Sequence, residues 1–389
     1  KPTLLVSVHS PHLPGPMVLL GVCALLGART VHVREVPQAE LTYLATDFKD
    51  GFLPTVSDQD AKTSRITDLT DYVSRFETLD YGAIEPSYMK AQRAADKAGP
   101  PVDGHTPMTG FGHYRKLKRG INLAAPPQRA SSYRVTSADF MEDRPRVRFR
   151  VEDGQSEAEA RLAYKLAVRD LQQFEYDRIS VTPNLARKYV YFPLHYEPEK
   201  TSNPDGGDYF NVFEAVAALR AFLPMNVAIY VKEHYTQLSP RMSGFRGRSA
   251  YLYRALRNLP RVGFAKQDTP TLDLIGGALF TASQTGTACL EAACMGRKAV
   301  LMGDIWFSHC PNVYRFEELT DFATLMAAPV QDRAAVEAFV EAWARRYTVN
   351  GYVTGSFMRM QGQRSTEAGF GLGKTAWEIA RSFKKAGLI

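Results

Sequence analysis

Lys188-Tyr-Val-Tyr-Phe-Pro-Leu-His195 opens the pattern that decides the fold. An unbroken apolar run stands between a lysine and a histidine, and a Pro- and Gly-rich polar loop follows as far as Gly207. Four more such runs come after it: Val227–Lys232, Arg261–Ala265, Ala278–Ser283 and Ala299–Met302. Between them lie stretches with helical spacing: Asn211–Phe222, Ser249–Leu256, a short one from Thr269-Pro270 to Ile275, and Thr287–Met295, which Gly296 closes as a C-cap. Short apolar strands alternating with helices predict a parallel sheet with helices on both faces, a doubly wound α/β domain over residues 187–330.

Upstream, Leu4–His9 reads as a strand and Ser10–Pro16 as a loop. Met17–Leu26 reads as a helix stopped by Gly27, and Thr30–Val36 as a second strand. This βαβ unit opens a first domain, 1–186, which also holds a helix at Glu157–Gln173 and ends in a crossover at Thr182–Arg187. Two closing helices, Ala334–Arg345 and Thr375–Lys385, make up residues 331–389. A chain of 389 residues suits two domains.

Composition excludes several classes. With 45% hydrophobic and 23% charged residues the chain is globular rather than disordered. Its longest apolar run, Met17–Leu26, has about half the ~20 residues of a membrane-spanning helix, and no charged n-region precedes it. The cysteines Cys23, Cys289, Cys294 and Cys310 form no C-x-x-C pair, so buried thiols in a reducing, cytoplasmic compartment are expected, and no zinc site. The net charge of +7 is concentrated between His113 and Arg150, where Arg144, Arg146, Arg148 and Arg150 alternate as on one strand face. That stretch is expected to meet anionic lipid at the inner face of the membrane, or a phosphate-bearing acceptor. No nucleic-acid-binding motif accompanies it.

In an open parallel sheet the ligand crevice lies at the carboxyl ends of the strands. There the sequence sets His195, Glu197 and Glu199 at alternate positions, then Lys232 and His234, then Ser283, Thr285, Gly286 and Thr287 where a helix starts, with Glu291 one turn inside it. His195, Glu197 and Glu199 are the catalytic candidates, since paired carboxylates suit acid–base or nucleophilic work at an anomeric carbon. Lys232 and His234 share one face of an extended segment and can meet a phosphate. Gly286 permits close backbone approach, the hydroxyls add donors, and Glu291 suits ribose hydroxyls. His12, in the first loop, is the candidate on the acceptor side. Gly373-Lys374-Thr375 resembles the end of a phosphate-binding loop, but Ala368 stands where the first Gly belongs.

Taken in order, Tyr191–Glu199, Leu223-Pro224, Tyr230–His234, Thr285–Ala292, Gly296 and Gly303–Trp306 resemble the capsule polysaccharide biosynthesis family of surface-carbohydrate glycosyltransferases, which is related to the capsular β-Kdo transferases. The resemblance covers about 189–310. It implies a GT-B architecture, two Rossmann-like domains facing a cleft, with the nucleotide-sugar donor on the second, the glycan or lipid-linked acceptor on the first, and the last helix crossing back. It also implies activity without a divalent metal or other cofactor. Related Kdo and sialic acid transferases hold the CMP phosphate with a His-Pro motif and a Ser/Thr-rich helix start. Lys232 and His234 would match the first and Ser283, Thr285 and Thr287 the second, although Tyr235 stands in place of the Pro. Two other readings are a sugar-nucleotide epimerase or hydrolase on the same fold, and a non-catalytic assembly or export factor.

Overall fold

The computed structural model describes residues 4–8, 14–36, 38–48, 51–55, 59–85, 156–198, 202–239, 244–353 and 365–389, with a few isolated positions between them. His12, Glu199 and the basic stretch 113–150 lie outside the described residues.

The chain is an α/β protein built on two sheets. The larger has seven strands in the order β10-β9-β8-β5-β6-β7-β4. Its members are β4 (Ser180–Val181), β5 (Tyr189–Pro193), β6 (Ala228–Lys232), β7 (Val262–Ala265), β8 (Thr281–Ser283), β9 (Ala299–Leu301) and β10 (Val313–Arg315). Every pairing in it is parallel. From β5 the chain winds outward through β6 and β7, then returns to the other side of β5 and winds through β8, β9 and β10. The direction reverses between β5 and β8.

Both faces of this sheet are covered, so its strands carry apolar residues on both sides. In β5, Val190 and Phe192 enter one core with Val216 and Leu219 of the helix Val212–Phe222 and with Tyr253 and Leu256. Tyr189 and Tyr191 point the other way, into a core with Leu272 and Ile275 and with Leu290 and Ala293 of the short helix Ala288–Cys294.

The smaller sheet has the order β1-β2-β3-β11, from β1 (Leu4–Val8), β2 (Arg29–Val36), β3 (Leu41–Ala45) and β11 (Thr348–Asn350). The opening unit is a parallel β1–β2 pair joined by α1 (Pro14–Leu25), and the β2–β3 and β3–β11 pairings are antiparallel. Helix α2 (Gln59–Ser74) packs in the same core as Tyr189 and Tyr191, through Ile66, Leu69 and Val73. So do Leu41 and Tyr43 of β3, and Trp343.

Several elements depart from the expected bounds. Helix α3 (Glu157–Ile179) runs past residue 173, held at its start by a capping box between Ser156 and Glu159. It packs near the helix Ala250–Arg257, and β4 pairs with β7, so residues 157–181 lie with the larger sheet. Helix α8 (Arg333–Tyr347) precedes β11, and the last helix, α9, spans Ser365–Lys385 rather than starting at Thr375. Its Ile379 and Phe383 pack on Val31 and Val33 of the smaller sheet. (Between α3 and α8 lie α4 to α7, which are Val212–Phe222, Ala250–Arg257, Thr271–Gly277 and Ala288–Cys294, and one further short helix, Phe322–Ala327.) Among the described residues no helix is long and apolar enough to cross a membrane. All four cysteines are free thiols, three of them buried.

Candidate functional site

The reversal between β5 and β8 places the ends of these two strands side by side, and such a switch point opens a crevice outside the sheet. His195 follows β5 and Ser283 ends β8, and they touch: His195 Nε2 lies 3.2 Å from Ser283 Oγ. The Thr285 backbone N–H donates to the same Nε2 at 3.3 Å. Ser283 Oγ also accepts from the Gly286 N–H at 3.1 Å. A Cβ on Gly286 would stand 2.6 Å from Ser283 Oγ, so glycine is what allows this turn to close. Burial, then the charges of His234 and Arg248, lower the His195 pKa to about 3. The imidazole is therefore neutral and works as an acceptor near pH 7.

A buried network holds the neighbouring strand end. Glu233, which follows β6, accepts from Arg248 Nε at 2.9 Å, Arg248 Nη2 at 3.1 Å and Tyr253 OH at 2.6 Å. Arg248 Nη2 also donates to the His195 carbonyl. The Glu233 N–H is received by Tyr176 OH at 3.0 Å, and Tyr176 in turn donates to the Ala265 carbonyl. The ion pair thus links the ends of β5 and β6, and the Tyr176 hydroxyl carries the network on to the end of β7. Glu197 is tied to the same frame by its backbone: Gln237 Oε1 accepts from its N–H at 2.7 Å, and Gln237 Nε2 donates to its carbonyl at 3.1 Å. A Cβ on Gly247 would fall 2.2 Å from the Glu197 carbonyl carbon. Glu233, Arg248, Tyr253, Tyr176 and Gln237 escaped sequence reasoning. The one available signal was Glu233 between Lys232 and His234 at a strand end, and its partner Arg248 stands in a loop without a motif.

Beside this frame lies a cavity of about 790 Å³. Its lining brings Lys232, Tyr235 and Glu291 together with Lys266, Asp268 and Thr271. Lys232 Nζ donates to the Thr269 carbonyl and, at 3.0 Å, to Thr271 Oγ1. Burial raises the Glu291 pKa to about 7, against the opposing pull of the Lys232 charge and a hydrogen bond with the Thr287 side chain. Glu291 is thus a carboxyl that exchanges its proton near neutrality, next to a fixed ammonium.

The expected residues therefore fall into two groups. His195, Ser283, Thr285 and Gly286 form the turn at the switch point, where Ser283 and Thr285 are buried. Lys232 and Glu291 line the cavity, with Thr287 bonded to Glu291. His234 stands between them. Its Nδ1 lies 2.9 Å from Thr236 Oγ1, and burial followed by the charges of Arg248 and Lys232 lowers its pKa to about 4. Thr287 begins the helix without a side-chain cap bond. Asp304 pairs with Arg315 at 3.1 Å, away from the cavity lining. Among the described residues no group of three or more His, Cys, Asp or Glu is placed to hold a metal ion.

No protein-family profile matches this sequence, and no curated protein matches it. Similar solved structures include the β-Kdo 2,7 transferase of KpsC from Thermosulfurimonas dismutans, at 16% identity and TM-score 0.29 over 54% of this chain and 64% of that one. The β-Kdo 2,4 transferase of KpsC from the same organism aligns at 13% identity and TM-score 0.31, over 87% and 78%. A UDP-GlcNAc 2-epimerase from Methanocaldococcus jannaschii aligns at 13% identity and TM-score 0.25, over 73% and 82%. The chain spans less than two thirds of the first of these structures. At these values the likenesses are too distant to carry a functional argument.

Proposed function

We propose that this chain is a glycosyltransferase that moves a sugar from a nucleotide-activated donor to a glycan or glycolipid acceptor in bacterial surface-polysaccharide synthesis. The observation that supports this reading best is the crevice at the β5/β8 reversal, where polar side chains from several strand ends meet beside a cavity holding Lys232 and Glu291. In this reading the larger sheet binds the donor and the smaller sheet's half the acceptor. The Lys232 ammonium, held by Thr269 and Thr271, meets the donor's phosphate charge without a divalent metal. Glu291 holds ribose hydroxyls. His195, as a neutral acceptor, keeps the Ser283–Gly286 turn in shape. Glu197 and Glu199 are assigned to take the proton of the acceptor hydroxyl as its oxygen bonds the anomeric carbon and the nucleotide phosphate leaves.

Calorimetric titration with CMP, UDP, GDP and ADP, with and without Mg²⁺, tests this. One nucleotide is expected to bind without metal, and Lys232→Ala to weaken it roughly 10- to 100-fold, the range for a charged hydrogen bond. No binding of any of the four at millimolar concentration would overturn the donor site. A carboxyl poised near neutrality is also what a sugar-nucleotide epimerase or hydrolase requires. Turnover of the donor in the absence of any acceptor would put that reading in place of transfer.

A further inference from the structure

Helix α1 has the sequence Pro14-Gly-Pro-Met-Val-Leu-Leu-Gly-Val-Cys-Ala-Leu25, without one charged side chain. Among its described side chains only Met17, Leu20 and Cys23, spaced as one helical stripe, are partly buried. Val18, Leu19 and Val22 are exposed, and Leu25 and the following Leu26 are 89% and 81% exposed. A surface helix ordinarily turns polar residues to water, and one that is apolar all round ordinarily has a partner on every side. A contiguous exposed apolar face of this kind marks an interaction surface.

The neighbourhood of this face is basic. Arg29, three residues past Leu26, donates to the carbonyls of Gly387 at 3.0 Å and Leu388 at 2.8 Å, which fixes the end of α9 beside the end of α1. On α9, Ile379 and Phe383 face the sheet, while Trp377, Arg381, Lys384 and Lys385 are exposed. Residues 377, 381, 384 and 385 follow helical spacing and form one stripe. Trp377 is 68% exposed, and Ile389 is exposed at the end of the same segment. Leucines and the cations near the end of α9 thus share one end of the smaller sheet, whereas Trp377 lies towards β11, where the neighbouring Thr375 and Glu378 bond Asn350. The start of β2 lies here, whereas Arg34 and Val36, near its other end, face Asp205 and the core shared with the larger sheet.

We propose that this face docks on an anionic lipid bilayer surface, with the α1 leucines entering the headgroup–acyl boundary and Arg381, Lys384 and Lys385 meeting lipid phosphates. Charge complementarity favours lipid over a second copy of the chain. A two-fold interface sets the same patch against itself, and three cations on each side would then oppose one another. The surface uses none of residues 113–150 and does not depend on which sugar the enzyme handles.

The test is vesicle flotation of the full chain, comparing phosphatidylcholine alone with phosphatidylcholine containing phosphatidylglycerol. Binding to the mixed vesicles is expected, weakening as salt is raised. At about 1 kcal/mol per cation, Lys384→Glu with Lys385→Glu lowers the partition coefficient by at least roughly thirtyfold. Leu25→Asp with Leu26→Asp lowers it at least tenfold while leaving the thermal melt unchanged, since both side chains are in water. The proposal fails if the wild type does not float with anionic vesicles at low salt. It also fails if both double variants float as the wild type does, or if light scattering shows a dimer that Leu25→Asp with Leu26→Asp dissolves.

Discussion

At the scale of single residues, the site is marked by groups whose protonation is set by burial. His195 and His234 have pKa values lowered to about 3 and about 4, and His32, in the smaller sheet, to about 4. Each is lowered chiefly by burial, so between pH 6.5 and these values the unfolded chain binds protons that the folded chain does not. Their contribution to stability is complete above pH 6.5 and is lost as pH falls through the folded values. The melting temperature is expected to drop steadily below pH 6.5, and His195→Gln, which cannot be protonated, should flatten that drop in a calorimetric pH series. Glu291 behaves in the opposite sense. Its pKa is raised to about 7, so the folded chain holds a proton that the unfolded chain releases above about pH 4.5. Stability from this residue is complete below pH 4.5 and declines as pH rises through 7. Glu291→Gln should therefore raise the melting temperature by at least about 2 °C at pH 8 and leave it unchanged at pH 4.

At the scale of elements, Gly303 sets how closely two loops approach. A Cβ at Gly303 would lie 2.4 Å from the Asp205 carbonyl oxygen and 2.6 Å from Gly206 Cα, both backbone atoms that cannot swing aside. Gly303→Ala is expected to cost about 1–3 kcal/mol in urea unfolding. The elements themselves were unequally legible in the sequence. Strands β5 to β9 stand out because each is a short apolar run cut off by polar or turn residues. Three others left little trace: Ser180–Val181, Val313–Arg315 and Thr348–Asn350 have two or three residues each, too few to show a period. Leu41–Ala45 is buried throughout and so lacks the alternation that separates a strand from a stretch of buried helix. The site followed the same logic. Strand ends, read from the pattern, located His195, Lys232 and Ser283. The Glu233–Arg248 pair that braces them joins residues brought together only by folding, and no local spacing announces it.

At the scale of the whole molecule, the two sheets share a core. Tyr43 meets Trp343 edge-on and Trp343 lies tilted against Trp306, with ring centroids 5.3 Å and 4.9 Å apart, between the smaller sheet and the loop after β9. Beside them Arg34 of β2 pairs with Asp205, the side chains 4% and 0% exposed. Removing one partner of such a pair strands a buried charge. Arg34→Met is therefore expected to cost about 3–5 kcal/mol, and adding Asp205→Leu to recover much of it. With a continuous core, thermal unfolding of the two halves should coincide in one calorimetric transition. The order of synthesis adds a further consequence. Tyr43 in β3 pairs with Thr348, and Val31 and Val33 are covered by Ile379 and Phe383. On the ribosome the larger sheet can close as soon as β10 emerges, while β3 waits with an open edge and β2 with a bare apolar face. Such an edge is a template for wrong pairing, so the nascent chain is a natural client for a chaperone that shields β2 and β3 until β11 and α9 have emerged. In stalled-ribosome proteolysis, residues 4–45 should turn resistant only in nascent chains long enough to expose α9.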